Sequence, residues 1–125
     1  MKKNKAFSLL ELLLVVILVS IIATFILPNY WGVHRRTLEK EAKALLKLIQ
    51  AAERTRQFEL GNFTACSDTA NCNTVLNLNL PTGGYWTYSV SVRGDSFCAQ
   101  ATDKNKSSVF HITNDLEEAI SGVCQ

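Results

Sequence analysis

A run of 21 residues, Phe7–Leu27 (FSLLELLLVVILVSIIATFIL), is apolar except for Glu11 and a few hydroxyls, and it limits the architectures open to this chain. As a helix it would be roughly 31 Å long at 1.5 Å per residue, enough to cross the hydrocarbon core of a bilayer. Lys2, Lys3 and Lys5 precede it. Basic residues flanking a first span hold that flank on the cytoplasmic side, so the rest of the chain is expected to face outward. A cleaved secretory signal fits less well. The run exceeds a usual signal core, no A-x-A site ends it, and a carboxylate sits inside it. That carboxylate, Glu11, is costly in lipid unless a cation neutralises it, and no side-chain cation lies within the run. A second copy of the chain would supply what the sequence lacks.

The remainder is small. At 125 residues the whole chain has room for one domain at most, and a net charge of +2 is too weak for the electrostatic footprint of a nucleic-acid binder. Arg35, Arg36, Lys40, Lys43 and Lys47 form a basic stretch, but Glu39, Glu41 and Glu53 dilute it, and we read it as a solvated helix face. Pro28 lacks an N–H and clashes with the preceding turn, so a kink is expected there, with Gly32 weakening the same region. Beyond it Leu38, Ala42, Leu45, Ile49 and Ala52 recur at 4, 3, 4, 3 spacing, one apolar stripe on a helix reaching about Glu59. Glu39, Lys40, Lys43, Lys47 and Arg54 fall on its other faces.

Gly61-Asn62 ends the helix. Gly61–Leu80, rich in Asn, Thr and Ser, reads as a loop. Tyr85–Val92 alternates, with Trp86, Tyr88, Val90 and Val92 directed at the helix. Arg93-Gly94-Asp95 is a hairpin turn. Ser96–Thr102 returns, Asp103–Ser107 turns again, Val109–Thr113 forms a third strand, and Asn114–Gln125 closes the domain. The expected fold class is α+β, a long N-terminal helix packed on a small antiparallel sheet. Cys66, Cys72, Cys98 and Cys124 all follow the apolar run, an even count that reads as two disulfides in an oxidising compartment, with three pairings open. Cys66–Cys72 would close a short loop, and Cys98–Cys124 would tie the end of the chain to a strand.

Signals for catalysis are missing. There is no G-x-S-x-G, no Gly-rich phosphate loop and no H-E-x-x-H, so the chain is not expected to be an enzyme or to need a cofactor. His34 and His111 are isolated and distant from any cysteine pair. Asp103, Asn105 and Asp115 offer oxygen ligands, but Lys104 and Lys106 intervene and the spacing suits calcium poorly, so no metal is expected. The triplets Asn62-Phe63-Thr64 and Asn105-Lys106-Ser107 match a glycosylation acceptor that arises often by chance.

Ala6-Phe7-Ser8-Leu9-Leu10-Glu11, after a short basic leader and before an unbroken apolar helix, resembles the class III signal of type IV pilin-like proteins. Pro28, Tyr30 and the amphipathic helix after them also match that pattern. The resemblance implies the pilin fold, a leader at 1–6, a transmembrane and filament-core helix at 7–28, an amphipathic helix at 29–60, and a loop and sheet with two disulfides at 61–125. It implies cleavage by a prepilin peptidase between Ala6 and Phe7, where the family usually has Gly before the cut, and N-methylation of Phe7. It implies an assembly salt bridge from Glu11 to the Phe7 amine of a neighbouring subunit. The Cys98–Cys124 pair resembles the C-terminal disulfide loop of many pilins, and Cys66–Cys72 would staple the variable connection between helix and sheet. Partners would be other copies of the chain in a helical filament, the peptidase, an inner-membrane assembly platform and membrane lipid, with no nucleic acid. The protein would sit in the inner membrane with its domain outside, then in an extracellular pilus; the alternative is a pseudopilin of a type II secretion system. Loss of 1–6 would lower the basic count from 13 to 10 against 11 acids, a side-chain total of −1.

Overall fold

The computed structural model describes residues 6–125, with the side chains of 27–29 excepted. The lysines of the leader therefore lie outside the described residues. The elements run α1 (Leu9–Leu60), α2 (Thr69–Leu76), β1 (Trp86–Arg93), β2 (Ser96–Asp103), β3 (Val109–Thr113) and β4 (Ile120–Ser121). The chain divides between Thr37 and Leu38 into two units, each described by itself.

In the first unit the helix begins at Leu9, two residues later than the sequence suggests. Ser8 supplies the reason, because its Oγ accepts from Glu11 N–H at 3.2 Å and its carbonyl from Leu12 N–H at 3.1 Å. Ser8 is thus an N-cap, and Ser8-x-x-Glu11 has the spacing of a capping box. The backbone stays helical through position 28. The expected kink rests on Pro28, whose side chain lies outside the described residues.

The second unit places α1 from Leu38 onward against one face of a four-stranded antiparallel sheet in the order β1-β2-β3-β4. Ala42, Leu46 and Ile49 from the helix meet Trp86, Tyr88, Val90, Phe97, Ala99, Ala101, Phe110 and Ile112 from the strands. The helical stripe is rotated from the expected one. Leu46, Gln50 and Glu53 are buried, whereas Leu38, Leu45 and Ala52 are only half-buried. Two polar residues take inward positions because the sheet side offers them partners. Gln50 Nε2 donates to the carbonyls of Thr113 (2.7 Å) and Leu116 (2.8 Å), and Glu53 Oε2 accepts from Thr64 N–H at 2.9 Å. Trp86 Nε1 donates to Leu38 O at 2.9 Å, and its ring meets Phe110 edge-on at 5.7 Å. Val92, expected inward, is half-buried at the hairpin end.

Strand registers run from Trp86 opposite Asp103 to Arg93 opposite Ser96, leaving Gly94-Asp95 as a two-residue loop. Gly94 has φ +56°, a left-handed conformation that glycine adopts without a Cβ penalty.

The segment read as a loop, Gly61–Leu80, contains α2. Asp68 caps it by accepting from Asn71 N–H at 2.8 Å, and Asn77 ends it in the left-handed conformation at φ 54°. Thr69, Cys72 and Leu76 turn inward at i, i+3, i+7. Cys66 and Val90 exchange two backbone hydrogen bonds, and Thr69 Oγ1 accepts from Tyr88 N–H at 3.1 Å. The segment therefore covers the outer edge of β1. Cys66 is bonded to Cys72, and Cys98 to Cys124.

Candidate functional site

Two places in the molecule merit comparison as sites: the apolar stretch of α1 and the polar groups of the second unit. In the first, Leu9–Ile26 is long and apolar enough to cross a membrane, and none of it is buried within the chain. Its hydroxyls are silenced internally. Ser20 Oγ donates to Val16 O at 2.7 Å and Thr24 Oγ1 to Ser20 O at 2.8 Å, so neither needs an outside partner. Glu11 is the only ionisable side chain between Ala6 and Ile26. It stands exposed in the first turn, where the partial positive charge of the helix N-terminus favours a carboxylate. Phe7, four residues earlier, is exposed beside Ala6 and precedes the helix. Ala6, Phe7 and Glu11 are thus gathered at one helix end, a short basic segment before them in sequence. Chemically, the arrangement offers an anion on an otherwise greasy surface.

The polar groups of the second unit are engaged in holding the fold. Asp103 Oδ1 accepts from Ser107 N–H at 2.7 Å, and its Oδ2 from Ser107 Oγ at 2.5 Å and Tyr85 Oη at 3.4 Å. The Ser107 hydroxyl, chiefly, holds this carboxyl below its ordinary value. Asp115 accepts from Asn114 Nδ2 at 3.1 Å. Among the described residues no three His, Cys, Asp or Glu side chains gather to hold a metal. His111 Nδ1 bonds Gly122 O at 2.9 Å, and His34 stacks on Tyr30 at 6.1 Å.

Sequence reasoning missed Glu53. Burial pushes its carboxyl above the ordinary value, against the opposing pull of Thr64 N–H and Arg56, and Oε1 has no partner. Arg56 also donates to Val75 O, which ties α1 to α2. Tyr88 is similar: its hydroxyl is buried without a partner, and burial, with the Glu41 carboxylate second, pushes its pKa above the ordinary value, so ionisation is suppressed. Neither opens onto a described cavity. A cleft of about 460 Å³ lies on the solvent face of the sheet, beside the Cys98–Cys124 bond, where Arg93, His111 and Asp115 line it. Nothing in it resembles a catalytic set.

The family comparison falls on the first place. Residues 1–27 match the family described as "Prokaryotic N-terminal methylation motif". The chain is 33% identical over 69 residues to the type IV major pilin protein PilA of Myxococcus xanthus (strain DK1622). That stretch is 55% of this chain and 30% of the relative, so the match spans less than a third of that protein's length. No solved structure matches this chain.

Proposed function

We propose that this chain, which is type IV pilin-like and has an α+β pilin fold, is a structural subunit of a type IV pilus that polymerises through its N-terminal helix. The observation that carries the reading is Glu11, one carboxylate on an apolar helix whose span is covered by nothing in its own chain. Removal of 1–6 by a prepilin peptidase would create a cation at Phe7, a methylation site in this reading, four residues before Glu11. Two helices packed with an axial stagger would then bring one subunit's carboxylate to the other's amine. The pair cancels two charges, and its role is registry more than affinity, because both ions lose water. Pro28 would let the helix adjust as it leaves lipid for the bundle.

The same reading makes the protein single-pass in the inner membrane, domain outside, until an assembly platform lifts it into an extracellular filament. The matched relative is a major pilin, which supports a pilus over a secretion pseudopilus. Its activity is assembly, and no enzymatic step is assigned to it.

Glu11→Ala tests the proposal. The variant inserts and is processed like the parent, yet the sheared-filament fraction falls at least tenfold; normal filaments would refute the registry role. Mass spectrometry of filament protein reads an amino terminus at methylated Phe7, and an intact Met1 would refute processing. Filaments kept on deletion, with exoproteins trapped in the periplasm, would favour the pseudopilin instead.

A further inference from the structure

Just beyond the span, Tyr30, Trp31 and Val33 are exposed at 61%, 76% and 60%. Such side chains are unusual in water, and Arg35 and Arg36 follow them with His34. The long basic stretch therefore divides: its first part, up to Arg36, contains no acid, and Glu39 opens the diluted part. At about 100° per residue these side chains surround the helix. Tyr30 and His34 share one side, as their stacking attests. Trp31 and Arg35 share the next, and Val33 and Arg36 lie across the axis. Before any bundle forms, a single protein partner would cover one side of the helix, whereas a lipid environment contacts all of them.

The axial position agrees. At 1.5 Å per residue Tyr30 and Trp31 stand roughly 6–8 Å past Ile26, within the headgroup layer that flanks a hydrocarbon core. The Cα–Cβ bonds of helical residues tilt toward the N-terminus, so the long stems of Arg35 and Arg36 are able to reach back toward the span. Aromatic rings with one polar atom and long cationic stems suit that boundary.

We propose that residues 30–36 form a collar that seats in the headgroup layer, with Tyr30 and Trp31 at the carbonyl level and the guanidinium groups of Arg35 and Arg36 on lipid phosphates, preferring anionic lipid. The proposal rests on the membrane-anchored reading above and adds to it. If Met1–Ala6 is removed, Arg35 and Arg36 are the only Lys or Arg side chains left from Phe7 to Arg36. The side-chain attachment to lipid charge then lies on the outer face, and extraction into a filament must break it there.

The full chain is placed in vesicles of phosphatidylcholine, alone or with one part in three phosphatidylglycerol. The emission of Trp31 is taken as the difference from Trp31→Phe, which cancels Trp86. The collar predicts emission shifted to the blue, quenched by bromines near the headgroup end of the acyl chain and shielded from aqueous iodide. R35Q/R36Q stays resistant to carbonate extraction, but its Trp31 becomes at least twofold more accessible to iodide, in the anionic vesicles. An inserted chain whose Trp31 is open to iodide overturns the collar and leaves the anchor standing. So does a Trp31 shielded from iodide but untouched by bromines, which would place it against protein. Equal iodide access for R35Q/R36Q and parent in anionic vesicles overturns the phosphate contact. A chain stripped by carbonate overturns the anchor itself.

Discussion

The two units use apolar residues in opposite ways. From Leu9 to Ile26 every side chain is exposed, and the large ones are at least half so. From Leu38 onward the helix turns one stripe inward, and Ala42, Leu46 and Ile49 are fully buried. The second unit buries its own core, whereas the first leaves its apolar surface exposed. The difference teaches where assembly energy resides. A domain that satisfies its own core has little left to offer a partner, and an unsatisfied helix has nearly everything to gain from one.

The largest test of this contrast sets one leucine against another. Leu46→Ala, in the packed core, should cost about 2–5 kcal/mol in denaturant unfolding of the domain, and Leu14→Ala should leave that transition within about 0.5 kcal/mol. A matching loss for Leu14→Ala would mean that the first unit supports the second after all. Next come the disulfides, which lie only in the second unit. With 26 residues of separation, loss of Cys98–Cys124 should cost about 3–4 kcal/mol, and with 6, loss of Cys66–Cys72 about 2–3 kcal/mol by the chain-entropy relation. Calorimetry of the two double-serine variants reads that order, and reduction should melt the domain while the span stays in its bilayer.

Gly94→Ala should cost about 1–2 kcal/mol, because φ is +56° and a Cβ there meets no neighbour, so the effect is conformational alone. Smallest are two pH effects of opposite sign. Glu53 has a raised folded value, so its contribution is full below pH 4.5, the unfolded value, and is lost as pH rises through the raised one. Asp103 has a lowered value, so its contribution is present above pH 3.8 and lost as pH falls through the folded value. Melting curves across pH should show Glu53→Gln removing part of the decline above pH 4.5, and Asp103→Asn removing part of the acid limb. Neither substitution should alter membrane insertion at any pH.

The periodic features were legible in the residues. Alternation at Trp86, Tyr88 and Val90 and helical spacing at Ala42 and Ile49 report a local geometry that repeats over many residues. Glu11 was legible because a charge among leucines contradicts its surroundings. By contrast α2 was hidden by composition: apart from Ala70 and Leu76, TANCNTVL consists of weak helix formers, and tertiary contacts override propensity. Its signal was still present in Asp68 as a cap and in Thr69, Cys72 and Leu76 at helical spacing. Gln50 and Glu53 could not be read as buried. Their partners lie at Thr113, Leu116 and Thr64, 63, 66 and 11 residues away, and only the fold brings them together.

The way α2 and Cys66 lie along β1 has a consequence if the chain polymerises as proposed. A small sheet with a bare outer strand invites a second kind of growth, in which strands of separate molecules zip into amyloid-like stacks. Here Cys66 uses both hydrogen-bonding groups of Val90, Thr69 takes the N–H of Tyr88, and the Cys66–Cys72 bond locks that cover in place. At the opposite margin β4 offers only two residues. Under that proposal, copies crowded in a membrane are left one way to stack, and in a reducing environment the guard against the other would loosen.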